Sequence, residues 1–120
     1  MPHILLAEDE LLIREMFGEA LADAGFRVTR ARDGADALAR FREEPADIIV
    51  TDFSMPVMNG AGLLQAARAI RPGTPGLIVT GYSHEVGDLE AMGDGDTRLM
   101  NKPVSPAALV RTVRQLLDAA

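Results

Sequence analysis

The sequence predicts a doubly wound α/β domain with a five-stranded parallel sheet, and three observations predict it. Short apolar runs recur along the 120 residues, and stretches of helical periodicity lie between them. No linker, internal repeat or low-complexity tract interrupts the alternation, so residues 1–120 are expected to form one domain. Strict βα alternation implies parallel strands joined by right-handed crossovers, with helices on both faces.

HILLA (3–7) is the first predicted strand. Leu12, Ile13, Met16, Phe17, Ala20, Leu21 and Ala24 then recur at helical spacing as one stripe, and Gly25 ends that helix. FRVTR (26–30) is the second strand; Asp33 with Asp36 opens the second helix and Pro45 stops it. DIIVT (47–51) is the third strand, ending against Asp52. A third helix is expected from about 60 to 70, closed by Arg71-Pro72-Gly73. GLIVT (76–80) is the fourth strand. The first, third and fourth strands are continuous apolar runs, as parallel strands covered on both faces should be. A fourth helix is expected near SHEVGDLEAM (83–92), short or loosened because an internal glycine such as Gly87 costs about 1 kcal/mol relative to alanine. TRLMN (97–101) is the fifth strand. The last helix takes Ser105 as its cap and Pro106 as its first residue, with Leu109, Val113, Leu116 and Leu117 on one face.

Composition narrows the function. A formal charge of −6 and a pI near 4.8 exclude a broadly basic nucleic-acid surface. Cysteine is absent, so disulfides and thiolate metal sites are excluded. No apolar run approaches the roughly 20 residues of a membrane span, and MPHILLAEDE is not a signal peptide, so a soluble cytoplasmic protein is expected. His3 and His84 have no ligand partner at helical spacing, and the six methionines read as packing residues.

In a parallel sheet the C-terminal ends of all strands share one edge. Glu8 and Asp9 follow strand one, Asp52 ends strand three, Thr80 ends strand four and Lys102 follows strand five. In the flavodoxin-like order 2-1-3-4-5, strands one and three are neighbours, and ligands bind at that switch point. Three carboxylates then share one crevice, and like charges that close cannot all ionise without a cation. Oxygen ligands of this kind suit Mg²⁺. Lys102, the only lysine beside 11 arginines, supplies a compact charge suited to phosphate. With Mg²⁺ and Lys102 the three carboxylates sum to zero, so an arriving phosphoryl group would turn a neutral site negative.

Glu8-Asp9, Asp52 in TDFSMPVMNG, Thr80 in VTGYS and Lys102-Pro103 resemble the receiver domain of bacterial response regulators, the CheY-like family, over essentially the whole chain. The resemblance implies that Asp52 accepts a phosphoryl group from a histidine kinase or phosphotransfer protein. It implies that Asp9 binds Mg²⁺ directly, that Glu8 does so mainly through water, and that the backbone carbonyl of Ser54 completes the protein ligands. Thr80 would hydrogen-bond the phosphoryl oxygen and Lys102 would pair with it. It further implies a cis Lys102-Pro103 bond and a switch, not a metabolic enzyme, that hydrolyses its own acyl phosphate. With no DNA-binding segment, output is expected through a protein partner on the fourth helix, fifth strand and fifth helix, including Arg98, Arg111 and Arg114. Leu99 stands where receivers usually carry Tyr or Phe, and Val104 where Phe often follows Lys-Pro. The response to phosphorylation is therefore expected in residues 80–95, around Tyr82 and Gly81, Gly87, Gly93 and Gly95, with Leu99 staying packed.

Three rival readings meet specific residues that oppose them. A flavodoxin would place its FMN phosphate after strand one, where AEDE repels it. A dehalogenase-type phosphatase needs a second Asp two residues after its nucleophile, where Ser54 stands. A scaffold that is never phosphorylated would not need the acid pair, Asp52 and Lys102 together.

Overall fold

The computed structural model describes residues 1–81 and 96–119. The described chain runs β1 (His3–Ala7), α1 (Leu11–Asp23), β2 (Arg27–Ala31), α2 (Gly34–Glu43), β3 (Ile48–Asp52), α3 (Gly60–Ile70), β4 (Gly76–Thr80), β5 (Thr97–Asn101) and α4 (Pro106–Ala119). The helix expected over 83–92, with Tyr82, His84 and Gly87, Gly93 and Gly95, falls outside the described residues. All four strand pairings are parallel, and the sheet order is β2-β1-β3-β4-β5.

Alternation along the strands divides the core between the two faces of the sheet. Leu5, Ile49 and Ile78 point toward α2 and α3, where Leu38, Phe41, Leu63 and Leu64 cover them. Ile4, Leu6, Ile48, Val50, Leu77 and Val79 point the other way, onto Phe17 and Leu21 of α1 and Leu109, Val113 and Leu116 of α4. Burying one such leucine or isoleucine contributes about 1.5–3 kcal/mol, so both layers hold the sheet edge in place. Leu99 packs against the α2–α3 layer, as expected for an aliphatic residue in that position.

The caps follow the sequence signals. Asp33 accepts a hydrogen bond from the Asp36 N–H at 2.7 Å, and the Ser105 hydroxyl accepts one from Ala108 N–H at 3.1 Å. Asn59 caps α3 by accepting from Gly62 N–H at 2.8 Å. Gly25 follows α1 with φ 98.

Three expectations need correction. β2 begins at Arg27 because the Phe26 N–H is still held by the Leu21 carbonyl (3.2 Å) as α1 ends. β3 begins at Ile48 and includes Asp52; Asp47 spends its carboxylate on the His3 N–H at 2.7 Å. The apolar stripe of α1 is narrower than its periodicity suggests. Phe17 and Leu21 are buried, whereas Leu12 is 82% exposed and Met16 is also exposed. The methionines divide likewise: Met55, Met58 and Met100 pack on the core, and Met1 and Met16 do not.

Candidate functional site

The register pairs Ala7 of β1 with Thr51 of β3, so Glu8 and Asp52 leave neighbouring strands at the same level. Glu8 is fixed from three sides. Its N–H donates to the Ala31 carbonyl at 3.1 Å, its carbonyl accepts from Arg14 Nη1 at 2.8 Å, and its Oε2 accepts from Glu10 N–H at 3.2 Å. Glu8 is only 3% exposed and Asp52 7%, while Asp9 stands at the open mouth. One carboxylate oxygen from each of Glu8, Asp9 and Asp52 lies within 4.8 Å of the other two.

Lys102 closes the fourth side. Its Nζ lies 3.0 Å from Asp52 Oδ1, and its N–H donates to the Thr80 carbonyl at 2.8 Å. Thr80 is buried at the end of β4, opposite Asn101, and the Lys102-Pro103 bond is cis. The β3–α3 loop is equally confined. The Phe53 N–H donates to the Val79 carbonyl at 2.9 Å and the Gly60 N–H to the Phe53 carbonyl at 2.8 Å. A Cβ on Gly60 would lie 2.7 Å from the Asp52 carbonyl oxygen, so only glycine lets α3 begin this close. Ser54 is exposed in that loop.

The electrostatics are those of an acid cluster with one cation. Burial pushes the Glu8 carboxyl up to about 7; Asp52 adds to the rise, and the Glu10 N–H and Lys102 oppose it. Burial also raises Asp52, with Lys102 pulling it down and Asp9 pushing it up. For Lys102, burial lowers the pKa, but the hydrogen bond and charge of Asp52, with Glu8 and Glu10, outweigh it, so the ammonium is held more firmly than usual. A buried carboxylate with a raised pKa lacks counter-charge. All-oxygen donors short of positive charge form an acidic pocket compatible with Mg²⁺, which binds through a few carboxylates and keeps several waters.

Glu8, Asp9, Asp52 and Lys102 thus meet as the sequence indicated, and Thr80 joins them through the main chain. Four residues went unread. Glu10 adds a fourth negative charge near Lys102, visible in the run AEDE. Arg14 ties down the Glu8 carbonyl, and Gly60 permits the close start of α3. Val57 carries no sequence signal for its conformation, φ 71, with its side chain in solvent.

A cleft of about 710 Å³ lies between α1 and α4, away from the carboxylates. Arg111 and Arg114 line it; Arg114 donates to the Ala24 carbonyl at 3.1 Å and stacks over Phe26. Arg98 donates to Gln115, another residue of that lining, at 3.4 Å. A smaller cleft of about 380 Å³ opens beside Lys102, lined by Ile13, Phe17, Val79 and Val104 among others.

A doubly wound sheet with an acid pair, a strand-end aspartate and a lysine on one edge defines a flavodoxin-like fold with an acidic pocket at its switch point. The model of the response regulator receiver domain matches residues 4–114, and the chain belongs to that family, the receivers of two-component systems. It is similar to the response regulator receiver protein CpdR of Brucella abortus, 34% identical over 120 residues and the full length of both chains. It is 32% identical over 114 residues to the probable transcriptional regulatory protein TcrX of Mycobacterium tuberculosis, covering 95% of this chain and 49% of that one. Among solved structures, Vibrio cholerae chemotaxis protein CheY4 superposes with a TM-score of 0.87 at 33% identity, over 97% of this chain and 98% of that one. A response regulator receiver protein from Sinorhizobium medicae gives 0.88 at 33%, over 98% and 95%. No described helix is long and apolar enough to cross a membrane.

Proposed function

We propose that residues 1–120 act as one receiver domain that takes a phosphoryl group on Asp52 in a Mg²⁺-dependent reaction. The observation that carries this reading is the cluster of Glu8, Asp9 and Asp52 within 4.8 Å, with Lys102 Nζ 3.0 Å from Asp52. The donor is a phosphohistidine on a histidine kinase or phosphotransfer protein. A carboxylate oxygen of Asp52 attacks phosphorus, the O–P bond forms as the P–N bond breaks, and the imidazole leaves with a proton.

Asp9, Asp52 and the Ser54 carbonyl would hold Mg²⁺ directly and Glu8 through water. Held there, Mg²⁺ would supply positive charge to offset that of the transferring oxygens. Lys102 releases Asp52 to pair with the incoming phosphoryl oxygens, and the Thr80 hydroxyl donates to one of them. Burial keeps bulk water from Asp52, which lets an acyl phosphate persist until the domain hydrolyses it. The output passes to a protein partner in the cytoplasm, with Arg98 of β5 and Arg111 and Arg114 of α4 among its contacts.

The test is intact mass after incubation with Mg²⁺ and acetyl phosphate. The wild-type chain should gain one phosphoryl group and Asp52→Asn none. Equal uptake by the two proteins would sink the assignment.

A further inference from the structure

The loop that leaves Asp52 contains a residue at odds with its surroundings. The Met58 N–H donates to the Pro56 carbonyl at 2.7 Å, and Val57 between them has φ 71. This is a γ-turn of the rare, strained hand, centred on a β-branched residue, the type least suited to positive φ. The loop is clamped on both sides of it: Met55 and Met58 pack against the core, and the Met58 carbonyl lies where a Cβ on Gly34 would approach to 2.6 Å. The clamp drives the Val57 side chain outward until it is 99% exposed. An apolar, strained and fully hydrated side chain gains nothing from its own fold.

Its position gives it a use. Val57 lies five residues past Asp52, and Leu11 and Leu12, also exposed, open α1 two and three residues past Asp9. The two segments leave adjacent strands from the paired positions Ala7 and Thr51. An acidic mouth is thus flanked by exposed apolar side chains. A phosphorylated donor is itself anionic, and the chain it approaches carries −6. Charge opposes the encounter until metal is bound, and apolar contact is the attraction the flanking residues can offer.

We propose that Val57 is a specificity-determining contact for the protein phosphodonor, docking against apolar side chains that flank the donor's phosphohistidine. The proposal rests on the reading of Asp52 as phosphoacceptor. The γ-turn holds the side chain outward in the free protein, so no rearrangement is needed when the donor arrives.

The test compares Val57→Ile, which keeps an apolar β-branched side chain, with Val57→Asn, which suits positive φ but is polar. Each is offered two phosphodonors with Mg²⁺: acetyl phosphate, and the fastest autophosphorylated histidine kinase found by trying all those of the source genome. Val57→Ile should match wild type with both. Val57→Asn should melt higher than wild type yet accept phosphoryl from the kinase roughly five-fold more slowly, through KM, while its rate with acetyl phosphate changes less than about two-fold. Equal kinase rates for wild type and Val57→Asn would overturn the proposal, as would an equal slowing with both donors. Wild-type uptake from acetyl phosphate but from no kinase would overturn it too. Failure of wild type with acetyl phosphate would instead remove the phosphoacceptor reading beneath it.

Discussion

Lys102 grips the site twice: its Nζ lies 3.0 Å from Asp52 Oδ1, and its N–H is bonded to the Thr80 carbonyl at 2.8 Å. The side chain that pairs with Asp52 is therefore anchored to the strand end that bears Thr80. Substituting Lys102→Ala leaves a buried carboxylate without its cation. The metal-free protein should lose about 1 kcal/mol, the low end for an ion pair whose lysine is more than a third exposed. Phosphoryl uptake from acetyl phosphate should fall at least about 10²-fold, as when a group stabilising transition-state charge is removed. Urea melts and intact-mass time courses read the two effects separately.

Glu8 should make the metal-free protein less stable as pH rises. Its carboxyl is held near 7 in the fold against an ordinary value of 4.5, so its stabilising effect is complete below about 4.5 and lost on passing through 7. Asp52, also raised by burial, acts in the same direction. His3 acts the opposite way: burial lowers its pKa, and its effect is lost as pH falls below 6.5. The difference between wild type and Glu8→Gln isolates the first contribution. Urea midpoints in EDTA should converge at pH 5 and separate by pH 8, with Glu8→Gln the more stable. Saturating Mg²⁺ should shrink that gap, because a cation favours the ionised carboxylate.

Removing Asp9 separates metal binding from folding. Asp9→Ala should abolish Mg²⁺-dependent uptake while leaving the apo protein as stable as wild type or more so, because Asp9 is exposed and its charge works against ionised Asp52. Glu8→Ala should weaken uptake less. Titration with Mg²⁺ followed by phosphoryl mass gain distinguishes them; normal uptake by Asp9→Ala at limiting Mg²⁺ would refute the ligand assignment.

Gly60→Ala should disturb the site through the backbone. The added methyl meets the Asp52 carbonyl oxygen at 2.7 Å and Thr51 Cγ2 at 3.1 Å, and a main-chain oxygen cannot rotate away. Despite the better helix propensity of alanine, a net loss of roughly 1–3 kcal/mol is expected. Phosphoryl uptake should slow alongside. A thermal melt at or above that of wild type would show that α3 can shift without cost.

Most of the fold was legible because β1, β3 and β4 are apolar on both faces and the helices announce their ends through Asp33, Ser105 and Gly25. The acid pair, Asp52 and Lys102 were legible because strand ends in a parallel sheet share an edge. What escaped was set by tertiary structure. Phe26 reads as strand, yet its N–H belongs to the end of α1. Leu12 and Met16 fit the helical period, but the sheet is wide enough to cover only the face bearing Phe17 and Leu21. Val57 ran against propensity altogether: no local rule places valine at φ 71, and only the clamp on Met55 and Met58 explains it.

The register has a consequence for how such a chain can be altered. Every residue assigned to chemistry sits on or just past the edge where Ala7, Asp52 and Thr80 end their strands, and among the described residues the opposite edge carries connections such as Pro45-Ala46 and Gly73. Lengthening a turn on that far edge shifts no strand relative to its neighbours. Inserting one residue within β3 would rotate Asp52 to the other face and erase the cluster. The sheet therefore divides the molecule into a half that must keep its length and a half free to drift, accept grafted loops or carry fused partners.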